Sequence, residues 1–427
     1  MTKYPTYKDS GIEWLGQIPT HWDLLRNKIF ITEHDNVVGQ DAYKYTLLSL
    51  TKQGVIQRDI ESGKGKFPKE FDNYKIVESG NIIFCLFDVD ETPRTVGLSS
   101  IDGMITGAYN VFSIKGINSQ FYYYYFLAVD EAKALRPLYS GLRKVVKTER
   151  FAGLRIPVPP EEEQRQIVAY LDYKSNKINE RICQRERELQ TLSELKQAEI
   201  ATVVTRGLDP NVPMKESGIE WLGKIPAHWG MMRAKYMFNK EKRAVRTNDK
   251  VVTCFRDGQV TLRENRRISG FTESLTETGY QGVRKGDLVI HQMDAFAGAI
   301  GVSDADGKGT SVYHCCTPKG NYSPHYYAHL IREMARSGYI ESLYRGIRER
   351  SSDFNYDTFS KQYLPIPPRE EQDAIVSYLQ SRITFIDNYI AKLKEEINYL
   401  QEYKQRLISD VVTGKVDVRG VEIPSEE

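Results

Sequence analysis

The sequence predicts an α+β protein written twice: two mixed α/β globular modules joined by two long antiparallel coiled-coil helices, a tandem repeat with pseudo-two-fold symmetry. Three observations carry this. Residues 8–22, KDSGIEWLGQIPTHW, return at 215–229 as KESGIEWLGKIPAHW, identical at twelve of fifteen positions at an offset of 207. Residues 156–171, IPVPPEEEQRQIVAYL, return at 364–379 as LPIPPREEQDAIVSYL at an offset of 208. After each second motif, 161–205 and 369–413 contain neither Gly nor Pro. Self-similarity at one fixed period is the signature of a repeat architecture.

The elements follow in order. Residues 1–155 form the first module, 156–213 a hinge and helix, 214–366 the second module, and 367–427 a second hinge, helix and tail. Both modules open on a Trp-rich segment holding all four tryptophans, Trp14, Trp22, Trp221 and Trp229. Identical use in both copies points to scaffold packing rather than a base-stacking platform. The variable stretches share turn residues, Gly54 with Gly258, Asp88 with Asp294, Gly97 with Gly301, Gly103 with Gly307 and Tyr109 with Tyr313. Shared turns with diverged residues between them imply one fold with two surfaces. Ile82–Phe87 and Asp287–His291 read as short strands after glycine turns. Gln120–Leu127 and His325–Ile331 read as helices with aromatic faces. The sheet order is not readable.

Pro159-Pro160 and Pro367-Pro368 suit a helix's first turn, and the carboxylates after them suit the positive end of its dipole. In the second helix Ile386, Ile390, Leu393, Ile397, Leu400, Lys404, Leu407 and Val411 step by alternating fours and threes, a heptad seam. The first helix places Arg185, Lys196 and Glu199 on the same register. Helices of roughly 45 residues, about 65–70 Å long, need a partner. The other copy is the first choice; packing of each helix on its own module is the alternative.

Function classes can then be excluded or kept. No apolar run approaches the ~18–20 residues that cross a bilayer, and Met1–Pro5 has no signal-peptide core. Five scattered cysteines without CxxC spacing fit a reducing cytoplasm. Phosphate-cradling glycine loops are missing, the nearest being Gly63-Lys64-Gly65-Lys66 and Gly307-Lys308-Gly309-Thr310. His325 and His329 lack the Glu of a zincin pair, and His314-Cys315-Cys316 reads as core. Asp88-Val89-Asp90-Glu91 reads as a solvated turn. No catalytic or metal-binding residue is assigned.

Charge is the informative signal. The chain's net +2 divides into +2 for 1–155, +6 for 214–366 and −6 for the helical segments and tail. Basic clusters recur at matching places, 141–150 against 346–350, with Tyr and Phe among them. Lys and Arg clusters supply phosphate contacts, while Arg, Asn and Gln read base edges. The candidate DNA-binding residues are Lys64, Lys66, Arg143, Lys144 and Lys147 in the first module, and Arg266, Arg267, Lys308, Arg348 and Arg350 in the second.

On the paired SGIEWLG-x-IP-x-HW openings, the paired IP-x-PP-x-EEQ hinges, and GLRK at 141–144 with GIRE at 346–349, the whole chain resembles the specificity subunits of type I restriction–modification systems. The resemblance implies two target-recognition domains, each reading one half of an asymmetric bipartite site in double-stranded DNA. It also implies a spacer set by the helices, two methyltransferase subunits and restriction subunits as partners, and a cytoplasmic, membrane-free setting. S-adenosylmethionine, ATP and Mg belong, on this resemblance, to the partner subunits; this chain carries no cofactor and is not an enzyme. The alternatives are a protein-interaction scaffold that binds no DNA and a nuclease or methyltransferase with an unrecognised site.

Overall fold

The computed structural model describes residues 2–58, 71–140, 144–266, 279–343 and 354–424. The chain divides into two units, one of Met1–Glu186 with Lys394–Glu427 and one of Arg187–Leu393. The two long helices, Glu161–Arg206 and Arg369–Val412, each contribute to both units.

Nearly every repeated residue has the same structural task in both units. In the openings, Tyr7–Asp9 pairs with Gln17–Pro19, and Met214–Glu216 with Lys224–Pro226. The Ser10 and Ser217 hydroxyls accept the Ile12 and Ile219 amides, each at 3.1 Å. Gly11 and Gly218, at φ of +65° and +74°, turn the chain between them, where a side chain would strain the backbone. The Lys8 and Lys215 ammonium groups donate to the carbonyls of Trp22 and Trp229. Both of those indoles are fully buried.

The proline-rich segments prove to be pinned strands. Arg155–Val158 pairs antiparallel with Asp23–Arg26, and Tyr363–Ile366 with Gly230–Arg233. The motif's Glu then closes a clasp. Glu163 accepts from Trp22 Nε1 at 2.9 Å, His21 Nε2 at 2.8 Å and the Tyr4 hydroxyl at 2.5 Å. Glu371 accepts from Trp229 Nε1 at 3.0 Å and His228 Nε2 at 2.9 Å. The next residue is equally committed. Gln164 accepts the Asn118 amide and donates to Pro159 O, and Gln372 does the same with Ser323 and Pro367, all at 2.8 Å.

Each module is built on a four-stranded antiparallel sheet. In the first the order is Ile31–His34, Asn110–Ile114, Ile82–Phe84, Val96–Leu98. In the second it is Phe238–Glu241, Tyr313–Pro318, Leu288–His291, Ile300–Val302. The shared glycines explain themselves in this sheet: a Cβ on Gly301 would lie 1.9 Å from the Gly258 carbonyl oxygen. The aromatic helices Ser119–Glu131 and Pro324–Arg336 cover the sheets. Phe84 meets Phe126 and Phe151 with ring centroids 5.1 and 4.8 Å apart. Phe238 meets Tyr327 at 5.3 Å.

The long helices pair antiparallel within each unit. In the first, Arg185 reaches Glu396 at 2.9 Å and Lys404 reaches Asn179 at 2.8 Å. In the second, Lys196 reaches Asp387 at 2.6 Å and Arg382 reaches Glu199 at 2.9 Å. The polar residues on the seam register are therefore cross-helix partners. Ile386, Leu393, Ile397, Leu407 and Val411 supply its buried apolar part. The tail returns to the opening: the Asp417 amide donates to Thr2 O at 3.0 Å, and the Arg419 guanidinium lies 4.8 Å from the Tyr4 ring centroid.

Removing the Glu163 carboxylate strands three donors, two of them buried. Glu163→Ala should therefore cost about 3 kcal/mol in urea unfolding. Glu371→Ala should cost less, because that carboxylate is 25% exposed against 5% for Glu163. Equal losses would contradict the burial argument.

Candidate nucleic-acid interface

Of the ten nominated residues, Lys64, Lys66, Arg143, Arg267, Arg348 and Arg350 lie outside the described residues. Lys144, Lys147, Arg266 and Lys308 can be placed.

Lys144 closes a hairpin formed by Tyr139–Ser140 and Val145–Val146. Its backbone is left-handed, at φ +48°. The hairpin is laced to the loop after strand Ile82–Phe84: the Asp88 amide donates to Lys144 O at 3.1 Å and the Val146 amide to Leu86 O at 2.7 Å. The Tyr139 hydroxyl donates to Asp90 at 2.6 Å. The Lys144 ammonium lies 2.5 Å from Glu91 and 3.5 Å from Asp90. Its hydrogen bond to Glu91 holds its pKa above the ordinary lysine value. Asp88–Glu91 is thus a clamp on the basic hairpin, not a merely solvated turn. Lys147 follows, exposed, as N-cap of the short helix Thr148–Gly153. Arg150 fastens the hairpin's base by donating to Leu138 O and Tyr139 O at 3.3 and 3.1 Å.

In the second module the cations gather on a hairpin between Val252–Cys254 and Val260–Leu262. Arg266 pairs with Asp257 at 2.7 Å and lies 4.3 Å from the Phe255 ring centroid. Lys308, on strand Gly307–Gly309, donates its amide to Lys250 O at 2.8 Å. Lys250 pairs with Glu264 at 2.7 Å, and Arg256 with Asp294 at 2.9 Å. Lys250 and Arg256 were missed in the sequence. The signal was the turn Arg256-Asp257-Gly258, which marks a hairpin and puts its flanking cations on one exposed element.

Among the described residues no group of three or more His, Cys, Asp or Glu side chains is arranged to hold a metal ion. Cys315 and Cys316 are buried on the central strand, and burial pushes the Cys315 thiol up to about 12. Among the described residues no helix is long and apolar enough to cross a membrane. Burial, with Arg332 and His325 nearby, pushes His329 down to about 4.

Three comparisons with known proteins bear on these surfaces. Residues 39–189, about a third of the chain, match the type I restriction modification DNA specificity domain. A putative type I restriction enzyme MjaX specificity subunit from Methanocaldococcus jannaschii is 20% identical over 445 aligned positions, covering 95% of this chain and 96% of the relative. Two solved structures share the fold. One, from a study of complex assembly and conformational transition of the type I R-M system, matches with a TM-score of 0.65 at 14% identity, covering 93% of this chain and 99% of its own. The other, the HsdS subunit from Thermoanaerobacter tengcongensis, matches at 0.50 and 16% identity, covering 97% and 100%.

His329 is neutral when folded at pH 7, and its folded pKa is depressed below the ordinary 6.5. The stability this contributes is present above pH 6.5 and is lost as pH falls toward 4. Urea unfolding at pH 5 should therefore show a penalty of about 1–2 kcal/mol relative to pH 7.5 that His329→Gln lacks. The same pH dependence in both proteins would contradict the assignment. The chain thus carries a match to the type I restriction modification DNA specificity domain over 39–189, is similar end to end to a type I restriction enzyme specificity subunit, and shares the fold of the two solved structures.

Proposed function

We propose that the modules 1–155 and 214–366 each read one half of an asymmetric bipartite site in double-stranded DNA. The paired long helices set the number of base pairs between the halves and dock two methyltransferase subunits, with restriction subunits joining the same complex. The chain itself is non-catalytic and works in the cytoplasm. Methyl transfer from S-adenosylmethionine and ATP- and Mg-dependent cleavage are carried out by the partner chains.

One observation carries this reading: the two copies keep the same clasp, sheet and helix contacts but carry different cations on their exposed hairpins. On the equivalent hairpins 48–57 and 252–262, the first copy has Lys52 with Arg58 just after it, and the second has Arg256 with Arg263 and Arg266 just after it. A repeat that preserves its scaffold and varies its basic surface suits two different half-sites on one duplex. Replacing residues 23–155 by the corresponding segment of another specificity subunit should change one half of the methylated motif. A change in both halves would refute the modular reading.

Contacts to phosphate and contacts to bases should separate in titration. Lys147→Ala should weaken binding evenly across DNA sequences and lower the slope of log K against log salt by about one. A base-reading Arg266 would instead relax one position of one half-site at a cost of about 1–3 kcal/mol when changed to Ala. Binding that is independent of salt would exclude the nominated cations as phosphate contacts.

A further inference from the structure

One short segment of each module keeps its exposed residues and changes its buried ones. Residues 23–30 align with 230–237, and of these eight positions only Arg26 with Arg233 and Lys28 with Lys235 are kept. The buried residues beside them differ, Asn27 answering to Ala234 and Phe30 to Met237. A third cation returns from another strand. The Lys115 amide donates to Phe30 O at 2.9 Å and the Lys319 amide to Met237 O at 2.8 Å, so the two lysines hold the same place. Lys319 Nζ also donates to Lys235 O at 2.7 Å. Lys235 is half-buried and the other five cations are exposed. None of the six is ion-paired to a carboxylate among the described residues. Exposed charges add little to stability, so packing does not account for keeping these and replacing the residues beneath them.

The first copy adds a fourth cation. Arg155 stands directly across the two-stranded sheet from Arg26, and like charges facing one another destabilise such a pair. Arg155 too is exposed and without a carboxylate partner among the described residues. The second copy has Tyr363 at this place, with the Arg233 guanidinium 5.1 Å from its ring centroid. The segment is also tied to the basic hairpin of the first module. The Asn27 amide donates to Leu154 O at 2.7 Å and Asn27 Nδ2 to Phe151 O at 3.2 Å. These acceptors lie at the end of the helix Thr148–Gly153, whose N-cap is Lys147. One helix about 9 Å long thus joins the nominated hairpin to this second group of cations.

We propose that Arg26, Lys28 and Lys115 in the first module, and Arg233, Lys235 and Lys319 in the second, hold the DNA phosphate backbone in the same way at both half-sites. The bases of the two half-sites differ and their phosphates do not. A surface that reads bases must diverge between the copies, whereas one that contacts phosphate stays the same and positions the module without reading sequence. Phosphate is favoured over the carboxylates of a partner protein because charge alone is kept. A packed protein interface would also hold the apolar neighbour, yet Ile29, 60% exposed, is replaced by Tyr236. Arg155 gives the first module one further contact.

The inference rests on the DNA-recognition reading and is tested with the full chain assembled with its methyltransferase subunits. Lys28→Gln and Lys235→Gln should each weaken binding about three- to tenfold, equally on the methylated motif and on a scrambled duplex, and lower the slope of log K against log salt by about one. The double variant should lower it by about two. Lys28→Arg should restore affinity and slope, and the methylated motif should stay unchanged throughout. Unchanged affinity and slope in both single variants, with wild type binding normally, would overturn this surface alone. So would a loss confined to one duplex sequence, which marks a base contact. Impaired assembly with the methyltransferase subunits in the absence of DNA would overturn it in favour of a partner carboxylate. If the wild-type assembly shows no salt-dependent DNA binding, this surface and the DNA-recognition reading both fall.

Discussion

The carboxylate of the hinge motif is the contact on which each unit depends. A buried carboxylate is expensive unless its lone pairs are filled. Glu163 fills them from an indole, an imidazole and a phenol. Burial and then the hydrogen bond to Glu163 drive the Tyr4 phenol far above its ordinary pKa, so it stays a donor. One side chain at the start of a long helix thereby fixes the Trp-rich opening and, through Tyr4, the returning tail. The adjacent glutamine fixes the start of the aromatic helix. Glu371 and Gln372 do the same in the second copy, without the phenol.

The helices end on the same clasp. The first long helix is followed by Gly207 at φ +78°, where a Cβ would lie 2.7 Å from Glu371 Oε1. The second is followed by Gly414 at φ +75°, against Pro19 and Trp22. Each carboxylate-indole clasp therefore receives the start of one long helix and the end of the other. The seam between the helices can tolerate Arg185, Lys196 and Glu199 because each finds an opposite charge across it. An apolar seam would associate without regard to register, whereas these pairs admit one alignment.

This division of labour explains what was legible in the sequence. The motifs repeat because their residues share one clasp, so identity at Trp22, Glu163 and Gln164 reports contacts directly. The long helices were legible from seam spacing and the lack of Gly and Pro. Sheet order was not, because strands of three to six residues carry too little alternation to set neighbours. The candidate DNA-contact residues were hardest. Lys144 was nominated from a basic run, but its tie to Asp90 and Glu91 spans about fifty residues and has no local signature.

The basic surfaces are also less free than net charge suggests. Arg266, Arg256 and Lys250 each hold a carboxylate in the unliganded chain, as does Lys144. A phosphate arriving at such a cation must displace a carboxylate already paired with it, so the net gain is the difference between two charge-assisted contacts. The carboxylate in turn preorganises the side chain, reducing the rotamer entropy lost on binding. Paired cations of this kind suit discrimination, because a misaligned duplex gains too little to break the internal pair.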